Sequence, residues 1–116
     1  MSDRFFRVDL LNQRTGYDPE VMREMFDVFK QAYSEYFELF DKYLNAEDWT
    51  RLSEIAHRAK SAVAIMGMEQ IRTEFNLLED LSSKAEKTDA YAKWIDDLRK
   101  RVETGASQIE EYLNSK

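Results

Sequence analysis

His57 is the one histidine of the chain, and its neighbours decide what an imidazole there could do. It stands in the run Ala56-His57-Arg58-Ala59-Lys60-Ser61-Ala62-Val63-Ala64-Ile65-Met66-Gly67. On a helix each residue advances about 100°. Leu52, Ile55, Ala56, Ala59, Val63 and Met66 then fall roughly 100–180° away from His57. Thr50, Ser53, Glu54, Lys60, Ser61 and Ala64 share its side. The spacing therefore turns the histidine away from the core, among small residues, with a lysine one turn ahead.

Three chemistries use a histidine of this kind. The first is metal binding. Glu54-x-x-His57 has the spacing found in dinuclear iron bundles, but those sites need two such pairs and two further carboxylates, all facing inward. One outward histidine does not supply that set, and we expect no metal site. The second is acid–base or nucleophilic catalysis. Ser53 and Ser61 lie close to His57, yet a nucleophile, a base, an orienting group and a pocket must converge. A convex helix face offers no such pocket. The third is reversible phosphorylation. A neutral imidazole nitrogen is a good nucleophile, and it must be exposed so that a second protein can bring the donor oxygen in line. Small neighbours permit that approach. Lys60 offsets the arriving charge, an attraction worth roughly 1–4 kcal/mol at about 4 Å between bulk water and a protein surface. The residues around His57 meet every requirement of this third chemistry.

The rest of the chain must hold that helix. Its 116 residues suffice for one domain with one core. There is no cysteine, hence no disulfide frame, no thiolate nucleophile and no cysteine zinc site; a reducing cytoplasm is the expected location. The net charge of −6 argues against nucleic acid, whose phosphates attract a basic face. No stretch approaches the roughly 18 apolar residues of a membrane span, and the opening residues lack a signal-peptide pattern. Three glycines and one proline leave little room for hairpins, and long runs of Ala, Leu, Glu, Lys, Arg and Met favour helix.

Read in order, residues 1–17 form a short helical opening segment that covers one end of a bundle. Asp18-Pro19 starts a long helix over about 18–44, the acid as N-cap and the proline at the first helical position. Met22, Met25, Phe26, Phe29, Ala32, Tyr33, Tyr36, Phe37, Phe40, Tyr43 and Leu44 recur along it at three and four, the pattern of a core face. The connection Asn45-Ala46-Glu47-Asp48 is short enough to make the next helix an antiparallel neighbour. That helix spans about 48–66 and carries His57 outward, and Gly67 suits the left-handed position after it. Two more helices follow at about 68–86 and 89–115, the last capped by Thr88 or Asp89. Gly105 lies inside it, where close helix packing is the reason to expect. The predicted fold is all-α, an up-down-up-down antiparallel four-helix bundle with a short N-terminal helical segment. Met1 and the lack of a linker fit a free-standing chain.

The motif His57-x-x-Lys60-Ser61 with Gly67 ten residues after the histidine resembles the signature of histidine-containing phosphotransfer (HPt) domains. The similarity runs over nearly the whole chain: Asp18-Pro19-Glu20, the Ala46-Glu47-Asp48-Trp49 turn, the Ala56-His57 pair, the Met66-Gly67-Met68 break and Leu78-Glu79 sit where such domains place comparable features. The resemblance implies a phosphocarrier that relays phosphate between receiver-domain aspartates in a multistep two-component pathway, with no kinase activity of its own. It implies that His57 is the phosphoacceptor, that Lys60 neutralises phosphate and that Gly67 ends the helix. The partner would be the receiver domain of a hybrid sensor histidine kinase, of a response regulator, or both. Mg²⁺ is expected on that receiver, with no cofactor on this chain, which would act as a monomer.

The chain departs from the family pattern at three places. Ser61 stands where many members have glycine; it is still small, as is Ala64 one turn on. Ala59 stands where many have a larger apolar residue, which is expected to loosen the core below the site. Glu79 stands where some members have a glutamine that bonds the imidazole; a carboxylate there would orient the ring and repel phosphate. For docking, Ile65 and Met68 are candidates for an apolar contact, Arg58 and Arg72 for its rim, and Ser53 and Glu54 for its edge. A helical adaptor without phosphotransfer, its histidine incidental, is the alternative function.

Overall fold

The computed structural model describes residues 4–115. Their helices are α1 (Val8–Arg14), α2 (Pro19–Asn45), α3 (Trp49–Ile65), α4 (Glu69–Ser83) and α5 (Tyr91–Asn114), with a 3-10 turn at Thr88–Ala90 and no strand among the described residues. Each long helix packs on two others, in the ring α2–α3–α4–α5, and α1 packs on α3. The all-α bundle with a short N-terminal helix is therefore the observed fold. Residues 1–3 of the opening segment lie outside the described residues. The 27 residues of α2, at about 1.5 Å each, account for most of the 43 Å length of the molecule.

Local chemistry sets the ends of the helices. Asp18 Oδ1 accepts from the backbone N–H groups of Glu20 at 2.9 Å and Val21 at 3.4 Å, with Pro19 at the first helical position. Asp48 Oδ1 accepts from Arg51 N at 3.1 Å, so Asp48 caps α3 and Asn45 remains in α2. At the same end of the bundle as Asp48, the expected 68–86 helix stops at Ser83, because Ala85 and Lys87 take left-handed φ values of 53° and 55°. Thr88 and Asp89 do not cap α5. They form the 3-10 turn, and Ala90 precedes Tyr91 without a side-chain cap.

The core runs the length of the bundle. Phe40 stacks on Phe75 with ring centroids 5.9 Å apart and planes 8° from parallel, which ties α2 to α4. Phe37 approaches the same ring at 6.3 Å. Trp49 meets the buried Tyr91 edge-on at 5.3 Å. The small side chain of Ala59 does not loosen this packing. Only a void of about 10 Å³ remains where it meets Phe29, Tyr33, Phe37 and Phe75, no more than the smallest space that one water needs. Aromatic rings of α2 occupy the volume that a larger residue on α3 would have filled.

The turn between α3 and α4 corrects one expectation. Gly67 adopts φ +77° and is itself buried. The chain that leaves it carries Met68 inward, fully buried and within van der Waals reach of Gly105, not onto the docking face. A Cβ on Gly105 would lie 3.0 Å from Met68 Cε, so the absence of a side chain there is what admits the methionine. The opening segment then closes over the turn, with Arg7 N donating to the Gly67 carbonyl at 2.9 Å.

A Cβ at Gly67 would stand 2.8 Å from the Arg7 carbonyl oxygen, whereas one at Gly16, also left-handed at φ +70°, meets nothing within 4 Å. Both alanine substitutions incur the left-handed penalty of about 1 kcal/mol; only Gly67→Ala adds a backbone clash. Urea denaturation should show Gly16→Ala losing about 1 kcal/mol and Gly67→Ala about 2–4 kcal/mol. Equal losses would mean that the opening segment does not clasp the turn.

Candidate functional site

α3 presents His57 on its outer side, with the imidazole 60 % exposed. Its inward neighbours Leu52, Ile55, Ala56, Ala59 and Val63 are all buried, so the helix cannot roll without dragging that stripe out of the core. α4 lies alongside in the register set at Gly67, and this brings Glu79 level with His57. Nδ1 of His57 is 3.0 Å from Glu79 Oε2. Lys60 Nζ donates to Glu79 Oε1 at 2.8 Å and to Asn76 Oδ1 at 3.1 Å. One carboxylate therefore holds both the imidazole and the lysine, one oxygen for each.

Those two bonds fix the charges. Partial burial alone would raise the pKa of Glu79, but the hydrogen bonds from Lys60 and His57 outweigh it and hold the carboxyl below its ordinary value. An ionised carboxylate only accepts, so the proton of the neutral ring sits on Nδ1. Nε2 then carries the free lone pair, and it has no hydrogen-bond partner among the described residues. The site is an oriented, exposed nitrogen nucleophile beside a held cation.

The other sequence-predicted residues distribute around this centre. Ser61 is exposed, and its hydroxyl reaches back to the His57 carbonyl at 3.4 Å. Ala64 is half-buried, its carbonyl accepting from the Arg14 guanidinium. Arg72 is drawn onto Glu69, its Nε 2.8 Å from Oε2, while Arg14 pairs with the other oxygen at 2.8 Å. Glu54 is exposed on α3. Ser53 borders a shallow depression with Asn76, Leu77 and Glu79.

On the α2 side of His57 lies a surface groove of about 580 Å³. Its floor is apolar, formed by Met25, Val28 and Ala32 of α2 and Ala62 and Ile65 of α3, and Arg58 and Glu24 belong to its rim. Ile65 thus lies where an apolar docking contact was expected, whereas Met68 is under the surface. Sequence reasoning missed Asn76 and the α2 wall. Asn76 was within reach, since the register that levels 57 with 79 also levels 60 with 76. Val28, 68 % exposed, lies off the core stripe of α2, and an apolar residue on that otherwise polar side was the available signal. Among the described residues no group of three or more His, Asp or Glu side chains is placed to hold a metal ion, and no helix is long and apolar enough to cross a membrane.

A family model described as "Hpt domain" matches residues 24–112. No curated protein and no solved structure matches significantly.

Because the folded pKa of Glu79 is depressed, the His57–Glu79–Lys60 link is complete above the ordinary carboxyl range and is lost as pH falls through the lowered value. Carbon-13 NMR of the Glu79 carboxyl should give a midpoint below the reference of about 4.3, and Lys60→Ala should move it upward. A wild-type midpoint at or above the reference would rule the shared carboxylate out.

Proposed function

The chain belongs to the Hpt domain family, whose members carry phosphoryl groups on histidine in phosphorelays with receiver domains, and we propose that His57 is its phosphoacceptor, through Nε2. The observation that carries this reading is the Glu79 contact at Nδ1, which leaves Nε2 as the exposed nucleophile. The Nε2 lone pair attacks phosphorus of a receiver's aspartyl phosphate. The N–P bond forms as the P–O bond breaks, and the aspartate leaves as a carboxylate. The ring then bears a positive charge, its proton still on Nδ1 against Glu79, which stabilises it much as the aspartate of a catalytic triad stabilises its imidazolium. The reverse step returns the phosphoryl group to a receiver.

Lys60 is the phosphate-neutralising residue in this reading. It sits one turn from His57, and an ammonium has three donors, two of them engaged by Glu79 and Asn76. Ser61 and Ala64 keep the approach to Nε2 low, Gly67 sets the register, and Glu79 positions the ring. The partner is the receiver domain of a hybrid sensor histidine kinase, a response regulator, or both, which also supplies Mg²⁺. The chain acts as a cytoplasmic monomer that needs no cofactor of its own and does not phosphorylate itself.

The test is incubation with phosphoramidate followed by intact-mass analysis. Wild type should gain one phosphoryl group that is labile in acid and stable in alkali, and His57→Gln should gain none while keeping its helical circular dichroism. An adaptor whose histidine is incidental would leave wild type unlabelled and lose no partner binding in His57→Gln. Lys60→Ala should shorten the phosphohistidine lifetime or slow transfer, and cost less than about 1 kcal/mol of stability. An unchanged lifetime and rate would remove Lys60 from the site.

A further inference from the structure

Ser53 and Ser61 flank His57 on its own face of α3, one turn before it and one turn after. At about 100° per residue, Ser61 stands about 40° to one side of His57 and Lys60 about 60° to the other. The packing follows that division. Lys60 bonds Glu79 across the seam with α4, and Ser53 borders the depression on that side. Ser61 lines the α2-side groove together with His57 and Arg58. Nδ1 of the ring is held toward α4 by Glu79 at 3.0 Å. The two nitrogens of an imidazole direct their in-plane bonds well apart, so Nε2 points away from α4, over the side of the helix where Ser61 stands. Ser61 is exposed. Its hydroxyl donates to the His57 carbonyl at 3.4 Å, beyond the roughly 2.5–3.0 Å of a firm O–H···O bond. That carbonyl also belongs to the backbone ladder of α3, so little is lost when the hydroxyl turns elsewhere.

We propose that Ser61 is a phosphoryl-binding residue, its hydroxyl donating to an oxygen of the group carried on Nε2. The inference rests on the phosphocarrier reading of His57. Residues four apart on a helix have Cβ atoms about 5–6 Å from one another, and each Cα–Cβ bond tilts toward the N-terminus, so Ser61 leans over the turn that leads back to His57. A phosphoryl group on Nε2 extends from the ring on that side. Lys60 meets it from the α4 side with the one donor that Glu79 and Asn76 leave free. Ser61 meets it from the α2 side. Glu54 shares the α2 side one turn back, but a carboxylate only accepts. The other α3 donor there is Arg58, which leaves the helix about 100° round from His57, against about 40° for Ser61. No proton moves to or from the serine. The N–P bond forms as the P–O bond breaks, and the hydroxyl exchanges one acceptor, the His57 carbonyl, for another, the phosphoryl oxygen. A glycine at position 61 would leave the approach open and supply no donor. The serine leaves the approach open and supplies one.

The full chain is labelled with phosphoramidate, the reagent is removed, and decay of the phosphorylated mass is followed at neutral pH. Loss of the hydrogen bond should shorten the phosphohistidine half-life about three- to tenfold in Ser61→Ala and in Ser61→Gly, whereas Ser61→Thr, which keeps the hydroxyl, should stay close to wild type. The phosphorus-31 resonance of the phosphohistidine should move in Ser61→Ala and return in Ser61→Thr. A serine that matters only by being small would give the same lifetime in all three variants, with Ser61→Gly labelled fastest. Unchanged lifetimes therefore overturn the proposal, as does a lifetime that falls in Arg58→Ala or Ser53→Ala but not in Ser61→Ala. A phosphoryl group that becomes stable to acid and maps to Ser61 overturns it too, because the hydroxyl would then be an acceptor of phosphorus. A wild type left unlabelled by phosphoramidate and by phosphorylated receiver domains is a different result. It removes the phosphocarrier reading and this proposal with it, whereas the variants remove the role of Ser61 alone.

Discussion

The register of α4 against α3 is the constraint from which the site follows, and it is set at one residue. Gly67 turns with a backbone conformation that a side chain would strain, in a space that a side chain would overfill. The turn is short, so α4 has no freedom to slide. A shift of one residue along α4 would rotate Glu79 by about 100° and take it away from both His57 and Lys60. Chemistry at the exposed face thus depends on a buried turn at the end of the helix, where nothing reactive is found.

The electrical design of the site is a consequence of one carboxylate serving two cations-in-waiting. Glu79 and Lys60 are opposite charges 2.8 Å apart and offset one another. A glutamine at position 79 would orient the ring equally well but would leave Lys60 uncancelled. On the phosphocarrier reading, the glutamate trades some attraction for phosphate against a firmer hold on the phosphorylated ring.

Much of this was legible in the sequence because it follows from period and punctuation. The outward direction of His57 comes from the 3.6-residue repeat of the α3 core stripe, and Asp18-Pro19 and Asp48 mark helix starts by the bonds their carboxylates make. Glu79 was marked by the family pattern, in which some members place there a glutamine that bonds the imidazole. Other features were hidden because they depend on how far a chain turns, which no repeat encodes. Met68 read as a surface residue until the left-handed turn carried it under α5 against Gly105. Ala59 read as a gap because its partners on α2 were not yet known to reach across. Asp89 read as a helix cap, but the left-handed Lys87 placed it in a 3-10 turn. The α2 wall of the groove was overlooked since attention to a helix falls first on the side that is buried.

The opening segment has a meaning beyond stability. Arg7, Arg14 and Leu11 lie before the residues that match the family, which begin at 24. Yet Leu11 is fully buried, Arg7 bonds the turn at Gly67, and Arg14 reaches the Ala64 carbonyl in the last turn of the helix that bears His57. Asp18, which caps α2, also precedes the match. The span that matches the family model, residues 24–112, is thus smaller than the portion that folds as a unit.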